Sequence, residues 1–171
     1  TIDVAGNVCG VTHVLLYTNV GPELVLSQNP TEWTNQDVTI SAVGSDIDGR
    51  VVSIKRPDGT IVNSQTTEYV VPVNGTYEFT ATDNSGATVT ESITITNIDK
   101  VKPQGSGTVV QPTSQNRYAT IKFNATDDAS GVAKIVLPDN SEVTTSTTNY
   151  NVTEPGTYTF KIYDVAGNEN T

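Results

Sequence analysis

The chain has 171 residues, 9 Lys+Arg against 19 Asp+Glu and a formal net charge of −10. That balance argues against a nucleic-acid partner, which needs a basic footprint, and the one Cys rules out an internal disulfide or a Cys-built zinc site. No apolar run approaches the ~20 residues of a membrane helix, so no membrane insertion is expected. No basic-then-apolar leader opens the chain, and without a Met it reads as a mature product or a fragment. Thr and Val are abundant while Leu, Ala, Glu and Lys are sparse, a strand composition punctuated by 13 Gly and 8 Pro.

In chain order, TIDVAGN (1–7) carries a motif that returns at YDVAGN (163–168), and VTHVLLYTNV (11–20) parallels TESITITNID (90–99). Residues 1–21 therefore read as the last strand of an upstream repeat, or as a strand offered to another chain. Cys9 and His13 lie four apart on this strand, on one face but well separated. Nucleophilic catalysis needs a base and an orienting third group, so both read as structural.

Residues 22–99 follow as a full repeat. DVTISAV (37–43), RVVSIKR (50–56), GTYEFTAT (75–82) and TVTESITIT (88–96) alternate apolar and polar at period two. Asp-Gly at 48–49 and 58–59 and Asn-Gly at 74–75 mark turns between them. KVKPQGSG (100–107) reads as a linker, and 100–171 as a second repeat that stops where its own last strand should begin. The two copies align without a gap at one offset: Pro57 with Pro138 (138 − 57 = 81), Tyr77 with Tyr158, Phe79 with Phe160, Asp83 with Asp164 and Gly86 with Gly167. About seven short strands per copy predict tandem antiparallel β-sandwiches of immunoglobulin type, an all-β fold.

A corner Tyr two residues before a core position is part of that pattern. Tyr77 and Tyr158 fit the corner, Phe79 and Phe160 the core position two residues on. Ile40, Ile54, Tyr77 and Phe79, with Ile121, Ile135, Tyr158 and Phe160, are the expected core. Burial at ~25 cal/mol per Å² then holds each sandwich without a disulfide.

WTNQDVTISAV (33–43), DDASGVAKI (127–135), NGTYEFTATD (74–83) and YDVAGN (163–168) resemble the bacterial immunoglobulin-like (Big-type) repeats of large surface and secreted proteins. The resemblance implies an exported, extracellular or cell-surface protein in which such sandwiches act as stalks, spacers or adhesive modules. It implies no catalytic set.

The candidate chemistry is acidic. Asp46, Asp48, Asp127 and Asp128 lie on the turn between the second and third strands of their copies, and Asp83 and Asp164 on the turn before the last strand. In an immunoglobulin-type sandwich these turns share a pole. Calcium takes six to eight oxygens, and it is the one cofactor such loops suggest. The competing reading is that Asp83 and Asp164 close Asx-turns on backbone amides, helped by Gly86 and Gly167 at positive φ. Glycosidase chemistry needs a carboxylate pair flanking a sugar cleft, and turn residues repeated in both copies suit a structural task better. Trp33, Tyr118 and Tyr163 are the aromatics open to a sugar-platform reading, while Tyr69 and Tyr150 sit inside strand patterns. Asn74, Asn124 and Asn151 begin glycosylation sequons.

The expected function is non-enzymatic: a structural, spacer or adhesion segment of an exported bacterial surface protein, able to assemble into a filament or layer. The alternatives are a calcium- or carbohydrate-binding adhesin module and an accessory domain of a secreted enzyme. The expected partners are other copies or repeats of the same protein, with strand donation from 8–20 as one route.

Overall fold

The structure is a computed structural model that describes residues 4–5, 19–115 and 117–171. Cys9, His13 and the strand expected over 8–20 lie, all but 19–20, outside the described residues. Within them the fold is all-β, without helix.

Alternation explains the strands. In β2 (Val38–Ser45), Val38, Ile40 and Ala42 point inward and the residues between them face out. In β6 (Gly75–Asp83) the inward set is Phe79, Ala81 and Asp83. One sheet joins β1 (Glu23–Asn29), β2 and β5 (Thr66–Val71) in the order β1-β2-β5. The other joins β4 (Ile61–Val62), β3 (Val51–Lys55), β6 and β7 (Thr88–Ile95) in that order. All pairings are antiparallel. The sheets meet face to face as a β-sandwich, with Leu24, Val38, Ile40 and Val71 packed against Val51, Ile54, Phe79 and Ile95. Each such side chain stabilises by about 1.5–3 kcal/mol on full burial.

The remaining strands are β8 (Gln104–Val110), β9 (Ala119–Thr126), β10 (Val132–Val136), β11 (Glu142–Val143), β12 (Thr147–Val152), β13 (Lys161–Asp164) and β14 (Glu169–Asn170). Their sheets run β12-β9-β8 and β11-β10-β13-β14, the same strand orders advanced by seven. An irregular step falls at the matching place in each, between Val51 and Ser53 and between Val132 and Lys134. This second core is smaller: Ala125, Ile135, Phe160 and Ile162.

Three expected core residues are only half-buried: Tyr77, Tyr158 and Ile121. The tyrosines are held at the rim because each hydroxyl reaches back four residues. Tyr77 Oη donates to the Val73 carbonyl and Tyr158 Oη to the Glu154 carbonyl, both at 2.7 Å. Ile121 is half-buried because the edge beside it is short. β7 pairs eight residues with β6, whereas β14 pairs only Asn170 and Glu169 with Ile162 and Tyr163 of β13.

The expected linker 100–107 is half strand, since β8 starts at Gln104. Its glycines look flexible in sequence, but one of them packs closely. A Cβ on Gly105 would sit 2.6 Å from Ile162 Cδ1 and 2.7 Å from Phe123 Cζ, so a larger residue there requires those side-chain ends to move.

Candidate functional site

The expected turn chemistry is present. Asp83 Oδ1 accepts from the Ser85 amide and the Ala87 amide, both at 2.8 Å, and from the Ser85 hydroxyl at 2.7 Å. Asp164 Oδ1 accepts from the Asn168 amide at 2.7 Å. Gly86 and Gly167 stand at φ 90° and 92°, where only glycine is at ease. The Ser85 hydroxyl, backed by the Ala87 and Ser85 amides against the opposing effect of burial, holds the Asp83 carboxyl below its ordinary pKa.

The carboxylates then separate into two unlike poles. At the second sandwich, Asp127 follows β9 and Asp164 ends β13. Asp99 joins them from the segment that leaves the first sandwich. One oxygen from each lies within 4.8 Å of the others. Asp99 and Asp164 are each 3% exposed, and Asp127 is half-buried. Asp128 is exposed and outside the group, because the turn points it to solvent while Asp127 Oδ1 accepts from the Ala129 amide (3.2 Å) and the Gly131 amide (2.7 Å).

Asp99 is held from both sides. Its Oδ2 accepts from the Ser130 amide at 3.1 Å and its Oδ1 from the Val101 amide at 3.0 Å. Its own amide donates to the Thr34 carbonyl at 2.9 Å, and its carbonyl accepts from Asn168 Nδ2 at 2.9 Å. Burial pushes this carboxyl up, but the Ser130 side chain and the Val101 and Ser130 amides outweigh it, and its pKa lies below the ordinary value. Among the described residues the ion pairs are Lys100–Asp37, Lys134–Glu142 and Lys161–Glu169, and none reaches this cluster.

The same segment is anchored on the first sandwich before it reaches the second. Thr34 forms a parallel bridge with Ile98, and the Thr34 amide donates to the Asn97 carbonyl at 2.9 Å. Asn97 Nδ2 donates to the Pro30 and Glu32 carbonyls at 3.0 and 2.7 Å, the former beyond a cis Asn29–Pro30 bond. Asn74 locks Ile98 from the side, accepting from its amide at 2.9 Å and donating to its carbonyl at 2.8 Å. The Asn35 amide crosses directly to the Ala166 carbonyl at 3.1 Å.

At the first pole, Asp46, Asp48 and Asp83 form no such tight group among the described residues. Asp48 Oδ2 accepts from the Val20 amide at 3.0 Å, and Asp46 Oδ1 from the Asp48 amide at 3.2 Å. Asn19 Nδ2 donates to Ser85 Oγ at 2.9 Å and to Asp83 Oδ2 at 3.5 Å. The Asn84 side chain fills the space between the turns. Its Oδ1 accepts from the Arg50 amide at 2.8 Å, and a Cβ on Gly49 would meet that oxygen at 2.4 Å. The matching residue at the second pole is Val165, which is half-exposed. Asp46 Oδ2 and Asp48 Oδ1 are buried without a partner among the described residues.

Of the aromatics, Tyr163 is engaged: its hydroxyl donates to Glu169 Oε2 at 2.8 Å and Lys134 Nζ stands 5.0 Å above its ring. Trp33 and Tyr118 are exposed. Asp99 is the residue that the repeat could not flag, because the parallel of 11–20 with 90–99 puts Val20 opposite it. Its one sequence signal is an acid placed directly after the last strand of a repeat.

Fold and site together define an all-β, β-sandwich protein with an acidic junction. No family model and no curated protein matches the chain. Among solved structures, one described under the structural basis for promiscuous specificity of carbohydrate-binding modules from the β-sandwich superfamily aligns with 90% of this chain and 96% of its own, at 16% identity and a TM-score of 0.39. A likeness that loose says nothing about a ligand.

Proposed function

We propose that this chain is a non-enzymatic structural segment of an exported bacterial surface protein. In this reading it is a pair of tandem immunoglobulin-like sandwiches of the Big type, held end to end as a spacer. The junction carries the reading. Asn74 and Asn97 fix the exit segment on the first sandwich, and bonds from Asn35 to Ala166, from Ser130 to Asp99 and from Asn168 to the Asp99 and Val101 carbonyls cross to the second. Inter-domain motion is the default where an interface is small, and these bonds oppose it. Small-angle scattering of the whole chain should give one narrow, elongated distance distribution. A broad distribution from freely swivelling sandwiches would overturn the spacer reading.

A second reading is favoured by one observation: three carboxylates converge at the junction without a Lys or Arg ion pair. Calcium, with its preference for carboxylate, carbonyl and water oxygens, would be held by Asp99, Asp127 and Asp164 and would stiffen the spacer. Calorimetric titration of the whole chain with calcium tests it. Ligand at 100 times Kd would raise stability by about 2.7 kcal/mol, and Asp99→Ala should remove both heat and stabilisation. A melting temperature indifferent to calcium would sink this second reading and leave the first intact.

A further inference from the structure

Asn74 and Gly75 stand where the exit segment is fastened to the first sandwich, and the pair carries chemistry of its own. Asn74 is exposed, in the turn that leads into β6. Both ends of its side-chain amide hold Ile98: Oδ1 accepts from the Ile98 amide at 2.9 Å, and Nδ2 donates to the Ile98 carbonyl at 2.8 Å. Ile98 is buried in the first core and forms the bridge to Thr34. The next residue is Asp99, already on the turns of the second sandwich at Ser130 and Asn168. The second copy has no equivalent lock, because the residue matching Asn74 there is Pro155.

A side-chain amide followed by glycine is open to attack from its own main chain. The Gly75 nitrogen adds to Asn74 Cγ, the Cγ–Nδ2 bond breaks, and the displaced nitrogen leaves as ammonia with the Gly75 amide proton. A five-membered succinimide remains. Water opens that ring at either carbonyl, giving Asp or β-linked isoaspartate, and no oxidant or reductant takes part. Glycine favours ring closure because no side chain shields its nitrogen. Closure turns the Asn74 side chain onto its own backbone, so both bonds to Ile98 must be released first. Either product lacks the amide donor that held the Ile98 carbonyl. The β-linked product also adds a main-chain carbon just ahead of Gly75, which pairs with Ile95 at the start of β6.

We propose that Asn74 is a site of spontaneous deamidation guarded by its bonds to Ile98, through which an opened junction becomes permanently loosened. Two hydrogen bonds of ordinary strength slow the step by about ten- to a hundredfold in the folded chain. Release of the exit segment lifts that protection, and a converted chain cannot restore the lock. The chemistry stands apart from the spacer reading, which scattering from the freshly folded chain decides.

Peptide mass spectrometry of the whole chain, held in warm and mildly alkaline buffer with and without unfolding urea, tests it. The peptide carrying Asn74 should gain one mass unit, with isoaspartate detected by enzymatic methylation, and should do so about ten- to a hundredfold faster in urea. Asn97→Ala, which removes the neighbouring bonds to the Pro30 and Glu32 carbonyls, should speed conversion of the folded chain severalfold. Gly75→Ala should slow it in urea and leave the fold in place, since φ there is not positive and an added Cβ would meet nothing nearer than 3.7 Å. Asn74→Asp, which copies one product, should lower the melting temperature of the first sandwich and broaden the scattering distribution. Equal rates in the folded and unfolded chains, or an Asn97→Ala chain that converts like wild type, would overturn the guard. A converted chain that melts and scatters like the fresh one would overturn the loosening.

Discussion

Ile40 and Ile121 occupy matching positions 81 residues apart, on β2 and β9, yet the first is fully buried and the second is not. The backbone around them is alike: same strand orders, same irregular steps, same tyrosine corner. What differs is the strand across the core. Ile95 of β7 closes the first sandwich, and among the described residues only the two-residue β14 stands beside β13 in the second. The aromatic packing follows suit. Phe79 meets Tyr69 edge-on and Phe160 meets Tyr150 edge-on, but Phe160 also stacks on Phe123, which stands where the first sandwich has Ala42. A β-sandwich core is therefore set by its edge strands as much as by its inward residues.

The comparison can be broken most directly at the aromatic pair. Phe79→Ala should destabilise the first sandwich by about 3–5 kcal/mol, within the usual range for a buried Phe. Phe160→Ala should cost clearly less, because Ile121 and Phe123 beside it are only half-buried. Chemical unfolding followed by Trp33 fluorescence for the first sandwich, and by circular dichroism for both, reads the two costs. Equal costs would mean that the second core is as closed as the first.

Asp99 comes next. Asp99→Ala leaves the amides of Ser130 and Val101 without their acceptor, a loss of about 1–3 kcal/mol for buried donors. The loss should appear in the second sandwich and in its coupling to the first. Unfolding transitions that stay as close together as in the wild type would contradict the clamp.

Acid should sharpen the same contrast. Asp83 and Asp99 lie lower in the folded chain than in the unfolded one, where a carboxyl titrates near ~3.9. Their contribution is complete above that value and is lost as pH falls through the depressed folded values. Melting curves between pH 6 and 2, on a scale set by those carboxyls, should fall steeply at the acid end, and less so in Asp83→Asn for the first sandwich. An identical acid limb in wild type and variant would remove Asp83 from the account.

The smallest effect is a deliberate match. Tyr77→Phe and Tyr158→Phe each remove a 2.7 Å bond to a carbonyl four residues upstream. Each should cost about 0.5–1.5 kcal/mol, and the two costs should agree because the corners have the same geometry. Markedly unequal values would show that the open edge also loosens the corner.

Much of the strand layout was legible because period-two alternation over DVTISAV and GTYEFTAT leaves one face apolar, and because Gly86 and Gly167 punctuate matching turns. The turn bonds of Asp83 and Asp164 followed from the D-x-x-G spacing. Gly105 was not legible: its role depends on Ile162 and Phe123, distant in sequence and close only after folding. Asp99 was hidden for a different reason. Weighing residues by recurrence favours those present in both copies, and the junction acid faces Val20 in the parallel of 11–20 with 90–99.

Under tension, the unequal edges become unequal fuses. β7 is fastened to β6 over eight residues, so a load along the strands must shear that ladder as a whole. β14 is fastened to β13 at two pairs, and a pull from its end unzips them one after the other. In a pulling experiment the second sandwich should open first and at low force.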